Sequence, residues 1–305
     1  MTSIPLKINY TGFIHESKCN NSDTCKCTKE DKHNIFKQKL CSYINTLYPN
    51  KFNFTNKRQK HKLEDLLEDI LYIAETGIPY RKLRSKINFN SLYYHISFFI
   101  IKNTFKHFYG YLLYEYFKTN KAEKLKYQSI DSSFIVNKGA NKEQVKRNVY
   151  MKGKNCLKLS IIVETNGIPI SIVIETGNVH DSKIFTKNIN ELIYDPKSLK
   201  YKNNNRYKQY FLADAGYDSR AIREELTSRG YKVFIPKNKR GTKIASKVST
   251  KEEKRIYKKR MIVENMFSRI KQYRRLNNIY EKNVGSYKSY LYFTLSKIIT
   301  TKMTI

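Results

Sequence analysis

Acidic residues are scarce in this 305-residue chain: 26 Asp and Glu stand against 59 Lys and Arg, a formal net charge of +33. Such an excess repels itself in a folded chain and calls for a polyanionic partner. Nucleic acid is the first candidate and an anionic membrane surface the second. Long apolar runs are missing too. No stretch reaches the roughly 18 uninterrupted apolar residues of a spanning helix, which counts against the membrane. The opening MTSIPLKINYTGF lacks the charged-then-apolar order of a secretory signal. The expectation is an intracellular protein, in cytoplasm or nucleoid if the host is prokaryotic and in the nucleus if it is eukaryotic. Tryptophan is absent while Lys, Asn, Ile and Tyr abound, a bias that suits an AT-rich genome and says little about mechanism.

Cysteine is sparse and odd in number, which excludes a disulfide framework in a chain without a secretion signal. Cys19, Cys25 and Cys27 lie close together with His15 and His33 nearby, but the C-x2-C knuckle of a zinc site is missing. They read as reduced thiols in a polar arm.

That arm, residues 1–60, is rich in Lys, Asn and Cys and only weakly periodic, with a helix expected near 32–47. From Leu63 the pattern becomes helical, through Leu66, Leu67, Ile70, Leu71 and Ala74, and stops at Gly77 before Pro79. Further helices are expected over 79–86, from Asn90 or Ser91 to Ile100, and over 104–118. Short helices with a Gly-x-Pro turn and many cations make residues 61–122 a helix-turn-helix-like, DNA-binding-like region. A plain helical cap is the compatible alternative.

Residues 123–305 have another grammar. Gln128–Val136 alternates as a strand, with Asp131, Ser133 and Ile135 on one face. Leu157–Glu164 and Ile168–Glu175 are β-branched runs joined by the turn signal Thr165-Asn166-Gly167. Helices over 181–194 and 219–229 alternate with strands over Gln209–Ala213 and Tyr231–Pro236. A basic loop, Lys237–Thr250, precedes a long helix and a last one near 285–300. A meander followed by alternating helix and strand predicts an α/β fold: a ribonuclease-H-like mixed sheet flanked by helices, after an all-helical N-terminal region.

Three acids stand at informative places. Asp131 lies inside an otherwise apolar strand and Asp214 ends another, where each is costly unless a cation or hydrogen bonds satisfy it. Glu264 sits in Tyr257-x2-Arg260-x3-Glu264-x6-Lys271. At about 100° per residue these four side chains fall within an arc of roughly 60° on a helix. Ile256, Val263, Phe267 and Ile270 occupy the adjoining arc. Three converging carboxylates form a hard oxygen cage suited to two Mg²⁺ or Mn²⁺ ions, the arrangement that supports in-line phosphoryl displacement. His180-Asp181 suggests a general-base dyad, but metal-bound water needs none. Both read as supporting residues, with Asp181 as the N-cap of the next helix. Asp218 is expected to cap the helix after it. Lys152, Lys154 and Lys158 read as a solvated face that is also able to contact phosphate.

From about 62 to 300 these pieces resemble the DDE transposases of bacterial insertion sequences, in the insertion sequence four/five superfamily that bears this Y-R-E-K signature. The likeness is carried by Asp131-Ser-Ser-Phe, by the turn into Gly167-Ile-Pro, by Gly177-Asn-Val-His180-Asp181-Ser and by Ala213-Asp214-Ala-Gly-Tyr217-Asp218. The full signature from Tyr257 to Lys271 completes it, with Arg274-Arg275-Leu beyond. The resemblance implies DNA cleavage at the ends of a mobile element and transfer of the 3′-hydroxyl to target DNA. It implies Asp131, Asp214 and Glu264 as catalytic metal ligands. Tyr257, Arg260 and Lys271 would hold DNA, with Arg274 and Arg275 as further cations. A homodimer acting on double-stranded DNA is expected, because two element ends must be held together. Two alternatives are a transposase-derived DNA-binding protein without catalysis, and a nuclease that cuts without joining.

Overall fold

A computed structural model of the chain describes residues 27–49, 51–52, 61–192, 209–237 and 250–303. The cysteines at 19 and 25, His15 and most of the basic 237–250 loop lie outside the described residues. Two compact units divide the chain: Met1–Tyr116 with Gln272–Ile305, and Phe117–Lys271.

The first unit is helical. Helix α1 (Lys29–Leu47) starts at a capping box in which Thr28 Oγ1 accepts from the Asp31 amide at 3.1 Å and Asp31 Oδ2 accepts from the Thr28 amide at 2.9 Å. Helix α2 (Leu63–Thr76) ends at Gly77, whose φ of 69° is the left-handed C-cap that glycine adopts without a Cβ penalty. Only Tyr80–Lys82 winds where the sequence suggested a helix over 79–86, and it does so as one 3-10 turn. Helices α3 (Phe89–Ile101) and α4 (Thr104–Tyr116) follow.

In the second unit, a one-turn helix α5 (Lys121–Lys124) leads into β1 (Tyr127–Asn137). Strands β2 (Lys146–Arg147), β3 (Asn155–Val163) and β4 (Pro169–Thr176) are antiparallel neighbours, with β1 and β4 on opposite sides of β3. Gly167, at φ 80°, closes the β3–β4 turn that Thr165-Asn166-Gly167 foretold. Helix α6 (Asp181–Asn190), β5 (Tyr210–Leu212), α7 (Arg220–Ser228) and β6 (Lys232–Phe234) then alternate. Strands β5 and β6 run parallel to β1, giving the order β3-β1-β5-β6 with β4 and β2 outside β3. This is the ribonuclease-H-like mixed sheet expected from the order of elements. Helix α8 (Lys251–Tyr257), a 3-10 turn at Lys258–Arg260 and α9 (Met261–Gln272) complete the unit, and α9 buries Val263, Met266, Phe267 and Ile270.

The chain then returns to the first unit with α10 (Arg274–Asn277) and α11 (Val284–Met303). The sequence pattern places 123–305 in one domain, and the compact units group its last helices with the N-terminal ones. The cause is that α11 is apolar on several sides. Its Phe293 ring stands edge-on to Phe36 at 5.4 Å and to Phe105 at 4.9 Å between centroids, so the helix is buried among the N-terminal helices. Among the described residues no helix is long and apolar enough to cross a membrane.

Candidate active site: three acids and an arginine

Asp131 projects from the middle of β1, opposite Ile161 of β3. Its side chain is 24% exposed, and Oδ1 accepts from the Ser132 amide at 2.8 Å. Burial pushes the carboxyl up to about 6. The Ser132 amide and Arg260 work against that rise, while the charges of Asp214 and Glu264 add to it. Asp131 therefore feels both of the other acids.

Parallel pairing explains how Asp214 reaches it. Leu212 stands beside Ser129, and each acid lies two residues further along its own chain. Asp214 then caps the 3-10 turn Ala215–Tyr217, its Oδ1 accepting from the Gly216 amide at 2.9 Å. A Cβ on Gly216 would lie 3.0 Å from that same oxygen. The glycine lets the carboxylate fold back over its own turn.

Glu264 comes from the first turn of α9. Arg260, four residues earlier, pairs through Nη2 with Glu264 Oε1, and its Nη1 lies 3.7 Å from Asp131 Oδ2. Tyr257 is half-buried with the Arg260 guanidinium 5.9 Å from its ring centroid. Burial raises the phenol, Arg260 opposes the rise, and the charges of Asp214 and Glu264 add to it. The spacing of the stripe predicts one continuous helix. The structure tightens Lys258–Arg260 to a 3-10 turn packed on β1, from which Arg260 reaches Asp131. Tyr257, Arg260 and Glu264 still converge with Asp131 and Asp214. Lys271, in the last turn of α9, is exposed, as is Arg274.

Arg275 is not available to DNA in this fold. It is 5% exposed, donates from Nε to Glu281 at 2.6 Å, and lies 5.0 Å from the Tyr80 ring centroid. A buried guanidinium needs such a partner.

On the sheet face opposite Asp131 lies a buried polar network that sequence reasoning missed. Lys158 is paired with Ser133's neighbour Phe134 across β1 and β3. Its side chain is 6% exposed, with Nζ 3.2 Å from Asp181 Oδ1 and 3.0 Å from the Val179 carbonyl. Ser132 Oγ donates to the same Asp181 oxygen at 2.7 Å. Tyr217, from the turn capped by Asp214, is buried beside Ser132 and Ser160. Burial, then the charges of Asp181 and Asp131, push its phenol far up and keep it neutral. Ser160 accepts from Asn188 Nδ2 at 2.6 Å, and Asn188 Oδ1 accepts from Ser171 at 2.9 Å. The residues flanking both acids are thus tied to α6. Lys158 is neither a solvated cation nor a phosphate contact. The signal was its place as a lone cation inside an apolar strand.

Two capping assignments shift by one residue. His180, not Asp181, is the N-cap of α6, its side chain accepting from the Ser182 amide at 3.3 Å. Ser219, not Asp218, caps α7, and Asp218 pairs with Arg223 at 2.7 Å. In each case the acid is drawn into an ion pair and the neighbouring residue serves the orphan amides.

The donor set of Asp131, Asp214 and Glu264 is all carboxylate oxygen, which suits Mg²⁺ or Mn²⁺. Burial chiefly, and then the charges of Asp214 and Glu264, raise the Asp131 carboxyl, and a dication would relieve both. Among the described residues no three such side chains are gathered closely enough to enclose an ion, and Arg260 bridges Asp131 and Glu264 instead. The chemistry of the site fits a metal, and Arg260 holds the place of positive charge.

A family model described as Transposase DDE domain matches residues 125–288, more than half of the chain. Comparison with curated proteins gives no match. Among solved structures, the catalytic domain of the Mos1 mariner transposase is similar at 12% identity, over 56% of this chain and 89% of that one, with a TM-score of 0.26. A pre-cleavage Mos1 transpososome is similar at 12% identity, over 76% and 84%, with a TM-score of 0.24. Both likenesses are too distant to transfer geometry. By the family match, the chain belongs to the DDE transposases.

Proposed function

We propose that this DDE transposase cleaves double-stranded DNA at the ends of a mobile element and joins the freed 3′-hydroxyl to target DNA, with Asp131, Asp214 and Glu264 as the catalytic acids. The observation that carries the assignment is that Arg260 pairs with Asp131 and Glu264 while Asp214 adds its charge at Asp131, in a chain of net charge +33. Two bound Mg²⁺ or Mn²⁺ ions would supply Lewis-acid stabilisation of the attacking and leaving oxygens. Together with Asp214 and Glu264, Asp131 would hold these ions, because it feels the charge of both acids. Gly216 and Ser132 hold the Asp214 and Asp131 oxygens in place through their amides. Arg260 and Tyr257 hold the DNA strand beside the reacting phosphate, and exposed Lys271 and Arg274 extend the grip. The helical unit binds DNA as well, and the protein acts as a homodimer so that two ends are processed together. The Y-R-E-K subgroup assignment is part of this reading.

The test uses the DNA bordering the gene as substrate, supplied with pre-cut 3′ ends. Joining of those ends to a second duplex in Mg²⁺ supports a transposase. Cleavage of intact ends without joining would make it a nuclease, and DNA binding with neither reaction would leave only the DNA-binding reading.

A further inference from the structure

We propose that the turn between β2 and β3 is a second DNA-contact site, in which Tyr150 and Val149 stack against an exposed base while Lys146, Arg147, Lys152 and Lys154 bind flanking phosphates. This rests on the transposase reading for its ligand but not for its observations. Val149 is 89% exposed and Tyr150 79%, the two largest values among the exposed large hydrophobic residues that the structure describes. Apolar side chains so presented, side by side, gain nothing from folding. No acid interrupts the chain between Glu143 and Glu164, and Lys146, Arg147, Lys152 and Lys154 near them are exposed.

The turn is built to hold this display. Asn148 caps a 3-10 turn over Val149–Met151, its Oδ1 accepting from the Tyr150 amide at 2.8 Å. Asn148 Nδ2 donates to the Gly177 carbonyl at 2.6 Å, anchoring the turn to the end of β4. Lys152 and Gly153 follow at φ 54° and 72°, which sends the chain back into β3. An aromatic ring carried on an anchored turn loses little entropy on stacking, and every base offers a face to it. Lys152 adopts a left-handed conformation that Gly or Asn would take more easily, and its side chain is exposed at the tip. Asp131 lies opposite Ile161, six residues along β3 from Asn155, or roughly 20 Å at about 3.3 Å per residue. That is about six base steps of duplex at 3.4 Å each, so one DNA molecule can reach both places.

The experiment measures binding of the full chain to a mixed-sequence duplex with a short single-stranded tail carrying 2-aminopurine, by anisotropy and by base fluorescence. The Val149→Ser/Tyr150→Ala variant should bind about tenfold more weakly and lose the 2-aminopurine change. Tyr150→Phe should retain both. Lys152→Ser should lower the slope of log affinity against log salt by about one. Both side chains of the double variant are exposed, so its melting temperature should match the wild type. Unchanged affinity and fluorescence in that variant overturn the proposal. So does a loss of oligomer mass in sedimentation with DNA affinity intact, which would make the turn a contact between copies. Metal-dependent cleavage by the wild-type chain, read in parallel, separates the two readings. If it cleaves while the double variant binds normally, only the turn proposal falls; a wild-type chain that binds no DNA overturns both.

Discussion

Arg260 Nη1 lies 3.7 Å from Asp131 Oδ2 while Nη2 of the same guanidinium pairs with Glu264. One planar cation thus neutralises two acids that belong to different elements, a strand and a helix. In this arrangement the arginine holds the two carboxylates together, and on the proposed metal-binding reading a dication would compete with it for them.

Replacing Arg260 by Gln removes that cation and leaves the acids to repel one another. The metal-free protein should melt at a lower temperature than the wild type. Added Mg²⁺ should then raise its melting temperature by more than it raises that of the wild type, since no guanidinium has to be displaced. Equal Mg²⁺ shifts in the two proteins would contradict a competing role.

The Asp131 carboxyl is raised to about 6 from an ordinary 3.8, chiefly by burial. The folded chain therefore binds a proton that the unfolded chain has lost between these values, and stability falls as pH rises through that window. Asp131→Asn removes the penalty. In chelator, the variant should match the wild type near pH 4 and exceed it above pH 6, by on the order of 2 kcal/mol. Urea melts across that range measure it, and a gain that does not grow with pH would count against the raised carboxyl.

Lys158 and Asp181 form a pair in which the lysine is 6% exposed. Lys158→Met leaves the Asp181 carboxylate with Ser132 as its remaining partner in the pair's surroundings and should cost roughly 1–3 kcal/mol. Adding Asp181→Asn should recover part of the loss. A double-mutant cycle tests this, with coupling of at least about 0.5 kcal/mol expected. Strict additivity would mean the pair contributes nothing.

Gly177 leaves no room for a side chain. A Cβ there would meet Cys156 Sγ at 2.3 Å, the Cys156 carbonyl at 2.9 Å and the Lys146 carbonyl at 3.2 Å. Gly177→Ala should destabilise by about 1–3 kcal/mol. Cys156→Ala in the same chain should restore only part, because the backbone oxygens remain. Full recovery would show the sulfur to be the sole obstacle.

Much of the second unit was legible because its strands and helices follow simple periods. The alternation around Asp131, the Thr165-Asn166-Gly167 turn and the apolar stripe of α9 each specify an element locally. The convergence of Asp131 with Glu264 was legible only through the signature, since no local rule says which strand meets which helix. What escaped was long-range. The grouping of α11 with the first unit depends on Phe293 meeting Phe36 and Phe105. The burial of Arg275 depends on Glu281 and Tyr80 being folded against it. Lys158 and Asp181 lie 23 residues apart, and a cation counted as solvated proved to be interior.

The most direct measurement compares Mg²⁺-dependent cleavage of the DNA bordering the gene by the wild-type chain and by Asp131→Asn, Asp214→Asn and Glu264→Gln. Each substitution keeps shape and removes a charge. The wild type should cut at the junctions with the element, and each variant should lose cleavage by a thousandfold or more, on the order expected when a metal ligand is lost. Retained cleavage in any one of the three would remove that residue from the site and contradict the triad.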